Sequence, residues 1–452
     1  MRLKISEIAK ACGGTLLCGN ENTAVTSFSA DSRTIKNGTM FVPIKGEKTD
    51  AHDFLPVVFE EGAAAAFTEK EIPTREQAVV LVKDSRTALQ KTAAMFRGRF
   101  DIPVIGVTGS AGKTTAKEMI ALALQSKLKV LKTAGNQNSQ IGVPLTLCGL
   151  RKEHQAAVVE MGVSMPGEMA RIASVVRPGF AVITNIGVSH IEYLKTQENI
   201  MAEKLRIADF IDGEGALFVS GDDPLLNSLR GSYKGNLVTF GVGRDCDAMA
   251  SDINQAANGT FFTCRFRGES KQVFVPAAGV HNVRNALASI AVARTLGIGM
   301  EDAIRAIAAY KPPAMRQEML KLNGVTVIDD SYNASPDSVR GAIDILVAEK
   351  SDGRKIAVLA DMLELGDYSY IGHYEVGRYA AERGVDILLG VGMMSKDICK
   401  GYGEEHSLWF ESNAQAGEYL AQNVRPGDTV LIKGSRSMKM DEVVSLLKER
   451  LS

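Results

Sequence analysis

Eight consecutive residues, Thr108, Gly109, Ser110, Ala111, Gly112, Lys113, Thr114 and Thr115, combine two glycines, a lysine and several hydroxyls. Each type has a use around an oxyanion. Gly109 and Gly112 let backbone N–H groups turn inward and approach an anion closely. A helix beginning at Lys113 adds unpaired donors and the positive end of its dipole. Lys113 supplies a full charge for terminal phosphates, and Thr114 offers a hydroxyl to Mg²⁺. The strict phosphate-loop spacing asks for glycine where Val107 stands, so the match is to the shorter form TGxxGKT[ST]. Such a loop needs a strand before it and a helix after it. Val104, Ile105 and Val107 read as a short buried parallel strand, and Met119, Ile120, Ala123 and Leu124 fall on one helical face. The pattern points to nucleotide binding.

Other residues carry weaker signals of their own. Glu160 ends the apolar run Ala156–Val159, and a carboxylate at that end of a parallel strand beside the loop holds Mg²⁺ directly or through water. His190 follows a strand read at Ala181–Ile186, and a lone histidine more often has a structural role. Lys204 sits on a helix read at Asn199–Ile211 and, taken alone, reads as a solvated lysine. His281, Asn282 and Asn285 open a helix within Gly279–Ala293, where asparagine caps the helix or meets a ligand. The polar stretches Ser29–Arg33 and Lys45–Asp53 are candidate ligand loops, although residue type alone favours solvated turns.

The elements that must position these groups make an α/β chain of three domains. A length of 452 residues suggests about three domains. Lys and Arg total 52 against 53 Asp and Glu, which leaves no basic excess for nucleic acid. The six cysteines are scattered without a CxxC pair, which argues against a disulfide framework or zinc site and for a reducing compartment. Charges interrupt the N-terminal MRLKISEIAKACGG, and no apolar run approaches membrane-spanning length, so a cytoplasmic protein without membrane insertion is expected.

Residues 1–97 read as a small α/β module, with a helix around Ile5, Ile8 and Ala9 that ends at Gly13-Gly14. Residues 98–311 read as a P-loop-type parallel-sheet domain, with a β-appendage at 245–276. Pro312-Pro313 marks a hinge. Residues 312–452 alternate strand and helix as a doubly wound, Rossmann-like domain. Strands read there at Thr326–Asp329, Ile356–Leu359, Ile387–Val391, Leu408–Phe410 and Thr429–Ile432, and there is no GxGxxG for a dinucleotide. Asp329-Asp330, Asp361 and Lys433-Gly434-Ser435-Arg436 fall at strand ends, where open sheets place ligands.

Seven motifs in order resemble the Mur ligases of peptidoglycan synthesis over essentially the whole chain. They are TGSAGKTT at 108–115, GNQNSQIGVP at 135–144, VVEMG at 158–162, TNIGVSH at 184–190, AEKLRI at 202–207, HNVRN at 281–285 and KGSR at 433–436. Within that family, DDSYNASPDS at 329–338 and DSRTIKNGTMFVPIKG at 31–46 resemble the members that add D-alanyl-D-alanine. Ala51 stands where the family commonly has glycine, and Ser139 where a second asparagine is common.

The resemblance implies ATP-dependent amide ligation. The terminal carboxylate of a UDP-N-acetylmuramoyl-tripeptide takes the γ-phosphoryl group, and the amine of D-alanyl-D-alanine then displaces phosphate. It implies that residues 108–115 cradle ATP and that Asn136 and Asn138 lie near its phosphates. It places His281, Asn282 and Asn285 on the adenine side, with Arg316, Asp330, Asn333 and Pro336 approaching from the C-terminal domain. Lys113, Glu160, His190 and Lys204 form the catalytic group, with Thr114 and Glu160 on one Mg²⁺ and His190 and Lys204 on a second. An ammonium cannot ligate Mg²⁺; the resemblance implies that CO₂ converts Lys204 to a carbamate. It further implies that Ser32, Arg33, Lys45, Gly46, Thr49 and Asp50 meet the uridine diphosphate end, and that Lys433 and Ser435 lie near the dipeptide or the phosphates. Closure about 311–313 would assemble the site, in a monomer. Other readings stay open: a sister ligase adding the third residue, a folylpolyglutamate synthase, against which the N-terminal module argues, and an ATP-driven conformational switch.

Overall fold

The computed structural model describes residues 2–72, 75–243, 245–256 and 258–451. Its strands form sheets of two, five, nine and six strands. The nine-stranded sheet holds the phosphate loop. Val104–Thr108 lies between Ala156–Glu160 and Phe180–Ile183, parallel to both, with Glu160 beside Val107 and Ile183 beside Thr108. All these strand interiors are buried, as an unbroken apolar run in a covered parallel sheet requires. From Val104–Thr108 the chain runs through the helix Lys113–Gln125 to the edge strand Val130–Lys132, returns at Ala156–Glu160, then crosses to the opposite side. This reversal opens a crevice at the strand ends that carry Thr108 and Glu160.

Met119, Ile120, Ala123 and Leu124 face inward as their spacing requires, and the helix Val280–Thr295 packs beside them, buried along most of its length. The expected appendage at 245–276 is instead the far side of the same sheet, with Ala257 outside the described residues. Ala248–Ala256 pairs parallel with Leu237–Gly241, and Gly259–Phe266 and Glu269–Val275 extend it antiparallel. The reason is one-sided burial: Phe262, Cys264 and Phe266 point into the core shared with Val280–Thr295, while Phe261 and Arg265 point out.

The five-stranded sheet runs Thr15–Cys18, Ala78–Leu81, Ala65–Thr68, Thr39–Phe41, Ser27–Ser29. The helix Ile5–Cys12 ends where Gly13 turns left-handed at φ 71°. Ile5, Ile8, Leu89 and Phe96 of this part share one continuous apolar cluster with Val143, Leu147, Ile172 and Val176 of the next. The six-stranded sheet is Glu318–Leu322, Val325–Asp329, Thr429–Lys433, Lys355–Ala360, Ile387–Val391 and Ser407–Phe410, with its own core on each face. One of those cores takes in Val188, Ile191 and Ala278 from the preceding part. The helix Ser395–Tyr402 had no sequence expectation, because Ile398 and Cys399 are its only buried apolar residues and leave little periodicity. Among the described residues no helix is long and apolar enough to cross a membrane.

Candidate active site

The loop after Val104–Thr108 is bent by two glycines, with φ 146° at Gly109 and 78° at Gly112. A Cβ on Gly109 would lie 1.9 Å from Thr184 Oγ1, so close backbone approach also excludes a side chain there. The segment 184–187 braces the loop. Thr184 Oγ1 donates to the Ala111 carbonyl (2.5 Å), and Asn185 accepts from Ser110 N (3.0 Å) and Ala111 N (2.8 Å). Gly187 N donates to Ser110 Oγ at 2.8 Å. The N–H groups of Ser110 and Ala111 are therefore engaged within the protein, and the donors left for an anion are those at the start of the helix Lys113–Gln125. Lys113 folds its ammonium onto the carbonyls of Gly109 (2.7 Å) and Ser110 (3.2 Å). Burial lowers its pKa from the ordinary lysine value, Glu160 opposes that shift, and Arg316 adds to it.

Glu160 is 1% exposed. Its Oε1 accepts from Thr114 Oγ1 (3.1 Å) and Asn138 Nδ2 (2.8 Å), whereas its Oε2 is buried with no hydrogen-bond donor. A buried carboxylate oxygen without a donor is costly, and a divalent cation would satisfy it. No group of three or more His, Cys, Asp or Glu able to hold a metal occurs among the described residues. Glu160 Oε2 and Thr114 Oγ1 are hard oxygen donors of the kind Mg²⁺ takes, one or two from protein with phosphates and water completing its shell.

Lys117 was not singled out from the sequence. It is fully buried, and its ammonium donates to the carbonyls of Thr133 (2.9 Å) and Gly135 (3.3 Å), 3.1 Å from Glu118 Oε1 and 3.6 Å from Glu160 Oε2. It ties the start of the 135–144 motif to the cradle helix. The available signal was a lysine one helical turn after Lys113, next to residues spaced for burial. Of the two asparagines in that motif, Asn138 reaches Glu160 while Asn136 is exposed.

The solvated reading of Lys204 from its residue type is corrected: Lys204 is 1% exposed. It lies one turn after Ile200, and these two are the buried residues of the helix Gln197–Leu205. Its neighbour Glu203 turns away to accept from Gly167 N (2.8 Å) and Met169 N (2.7 Å). Burial and then the charge of Lys113 push the Lys204 pKa down to about 7. His190 has a left-handed backbone, φ 63°, and its Nδ1 lies 2.5 Å from Glu364 Oε2. The approach does not have the geometry of a regular hydrogen bond. It nonetheless holds the Glu364 carboxyl below its usual range, against the opposing effect of burial.

Among the residues expected on the adenine side, Asn282 Nδ2 donates to Ala278 O (2.7 Å) and Gln317 Oε1 (3.1 Å), and Gln317 Nε2 meets His281 Nε2 at 2.8 Å. Asn282 thus does not cap its helix. Asn285 lies beside Gly112, and its Nδ2 is buried without a partner. From the six-stranded sheet, Lys433 Nζ pairs with Asp330 Oδ2 (2.6 Å) and donates to Asn333 O (2.9 Å). Ser435 Oγ accepts from Leu363 N (2.8 Å), Pro336 begins the helix Pro336–Ala348, and the Arg316 guanidinium lies 4.0 Å over the Tyr332 ring.

The residues expected at the uridine diphosphate form a separate group on the five-stranded sheet. Ser32 and Arg33 follow Ser27–Ser29, while Lys45, Gly46, Thr49 and Asp50 follow Thr39–Phe41, both at carboxyl ends of parallel strands. Arg33 pairs with Asp31, whose carboxyl it holds down at about 2. Gly46 N donates to Thr49 O (2.9 Å), closing the loop. Asp50 is engaged inside the loop, accepting from His52 N (3.0 Å) and Lys70 Nζ (2.9 Å) and lying 2.6 Å from His52 Nδ1.

The Mur ligase middle domain matches residues 107–293, and the Mur ligase, glutamate ligase domain matches residues 315–436. The chain is 36% identical over 453 residues to UDP-N-acetylmuramoyl-tripeptide–D-alanyl-D-alanine ligase of Bacillus subtilis (strain 168), covering 98% of each. Among solved structures it is similar to MurF from Acinetobacter baumannii, with TM-score 0.92, 32% identity and 99% of each chain covered. It is also similar to the MurF ligase from Thermotoga maritima in complex with ADP, with TM-score 0.84 and 30% identity, covering 94% of this chain and 97% of that one.

Proposed function

The chain belongs to the Mur ligase family, and from that premise we propose that it joins D-alanyl-D-alanine to UDP-N-acetylmuramoyl-tripeptide at the expense of ATP. Similarity along the whole chain to enzymes of that name carries the reading. The crevice supplies chemistry that suits it. A carboxylate has a poor leaving group, so it must first be phosphorylated, and that step brings two anions together. Cations must offset their repulsion. Lys113 and the helix start would hold the β- and γ-phosphates of ATP. Thr114 and Glu160 would hold one Mg²⁺, and the orphan Oε2 of Glu160 supports that assignment. His190 and Lys204 would hold a second. Bound Mg²⁺ supplies charge neutralisation and alignment of the reacting oxygens.

Lys204 suits the second site as a carbamate. Its side chain is buried within reach of the Lys113 charge, so carbamylation would replace a disfavoured cation by an anion with two oxygen donors. The domains are assigned as 1–97, 98–311 and 312–452, and the grouping of the strands into separate sheets supports that reading. The uridine diphosphate end of the substrate is assigned to the loops after Ser27–Ser29 and Thr39–Phe41, and the dipeptide to the strand ends carrying Lys433 and Ser435. One chain provides every assigned residue, so a monomer in the cytoplasm suffices.

A substrate matrix tests the reaction. With Mg²⁺ and ATP, phosphate should appear only when the UDP-linked tripeptide and D-alanyl-D-alanine are both present, together with a pentapeptide-bearing nucleotide. ATP hydrolysis independent of both would instead support the conformational switch.

A further inference from the structure

The segment Gly187–Glu192 touches two parts of the protein at once. On one side it meets the phosphate loop: Gly187 N donates to Ser110 Oγ (2.8 Å), and Ser189 Oγ donates to Ser110 O (3.4 Å). On the other it is inserted into the C-terminal unit. Val188 is buried in the cluster that contains Val339, Met362 and Leu365. The Asp337 carboxylate lies so close to the preceding residue, Gly187, that a Cβ there would sit 2.0 Å from Asp337 Oδ2. Glu192 N donates to Glu364 O (3.3 Å). His190 and Glu364 then face each other at 2.5 Å, both held in the left-handed region, at φ 63° and 62°. Non-glycine residues adopt that conformation only where surrounding contacts over-determine it.

We propose that Glu364 is a positioning residue for His190, supplied by the C-terminal unit so that the metal-facing nitrogen of His190 is set only when that unit is docked. The chemistry is that of a histidine ligand oriented through its other nitrogen. A carboxylate beside Nδ1 favours the tautomer that carries the proton there, which leaves the Nε2 lone pair for a cation. Because the carboxylate arrives from across the 311–313 connection, docking and metal binding become one event. Asp337 and Val188 secure the same segment, and Ser110 links it to the nucleotide cradle. This inference rests on the metal assignment of His190 made above.

The test uses the full-length chain with a non-hydrolysable ATP analogue and the UDP-linked tripeptide, and Mn²⁺ as the probe. Free Mn²⁺ is followed by electron paramagnetic resonance in wild type, Glu364→Gln, Glu364→Asp, His190→Ala and His190→Ala/Glu364→Gln. Glu364→Gln should weaken one Mn²⁺ site about 10- to 100-fold, with binding of the metal-free analogue unchanged. Glu364→Asp should recover part of that loss, and adding Glu364→Gln to His190→Ala should cause no further loss. Unaltered Mn²⁺ binding in Glu364→Gln, or losses that simply add in the double variant, would overturn the inference. Thermal unfolding identifies a variant that is merely misfolded, and Glu364→Asp then decides: wild-type affinity upholds the role of the carboxylate, and affinity no better than that of His190→Ala overturns it. Wild-type protein that binds a single Mn²⁺ would instead remove the two-metal reading itself.

Discussion

Thr114 Oγ1 donates to Glu160 Oε1 at 3.1 Å, and the other oxygen of that carboxylate has no donor. The helix start and the neighbouring strand end thus fix one half of the carboxylate and leave the other half for a cation. Glu160→Gln should keep the hydrogen bond from Thr114 and lose the charge. Ligase turnover should fall on the order of 10²–10³-fold, the scale of losing one charge-stabilising group. The melting temperature should fall only modestly, because Lys117, 3.6 Å from Glu160 Oε2, keeps Glu118 and the Thr133 and Gly135 carbonyls as partners. Rates of ADP release and a thermal melt check both halves; a large drop in melting temperature with normal turnover contradicts the assignment.

Lys204 should cost stability where it serves function. Its folded pKa is lowered to about 7 from the ordinary lysine value of 10.5, so the unfolded chain binds more protons between those values. The penalty is complete below about pH 7, shrinks as pH rises, and vanishes above the unfolded value. Lys204→Met should therefore abolish turnover and stabilise the protein at pH 7 by as much as a few kcal/mol. In CO₂-free buffer the advantage of the variant should narrow as pH rises from 7 towards 10.5. Urea titrations at several pH values measure it. Activity retained by Lys204→Met at any bicarbonate concentration ends the carbamate proposal.

Lys117 predicts the opposite pairing of effects. Lys117→Met would leave the Thr133 and Gly135 carbonyls without their donor and Glu118 and Glu160 without a nearby cation. Breaking a buried charged network by removing one partner costs roughly 3–5 kcal/mol. Urea denaturation should show a loss of that size, and KM for ATP should rise because the 135–138 turn loses its tie to the cradle helix. A variant as stable as wild type refutes this account.

Gly109→Ala places a methyl against Thr184 and demands a backbone conformation that alanine rarely adopts. The loop should shift and ADP affinity should fall at least 10-fold, with the circular dichroism spectrum unchanged. Calorimetric titration with ADP reads the affinity, and wild-type binding would show that the loop is not the nucleotide cradle.

The two junctions between sheets differ in kind. The N-terminal part shares a continuous apolar core with the central sheet, whereas the C-terminal part is joined through Val188, Ile191, Ala278 and polar contacts. Movement should therefore occur at the 311–313 connection. Small-angle scattering with and without nucleotide and both substrates should show a change in radius; an identical profile under all conditions contradicts closure.

Local patterns carried much of this in the sequence. The strand, loop and helix around Gly109–Thr114 were legible because an apolar run, two glycines and a helical spacing all act within a few residues. Glu160 was legible because its strand ends where the run does. Gly13 and Pro312-Pro313 punctuate the chain for similarly local reasons.

What surrounds a side chain is set by partners distant in sequence, and there the tertiary structure decided. Lys204 has the composition of a surface lysine; packing of its helix buried it. The strands at 248–275 join the central sheet because Leu237–Gly241 offers a free edge and Val280–Thr295 a surface to cover. Glu364 meets His190 only because two separately folded sheets dock. Chain order alone determined which chemical groups exist and which local elements carry them. Their desolvation, and hence their charge and their partners, came from long-range packing, which no periodicity of two or 3.6 residues encodes.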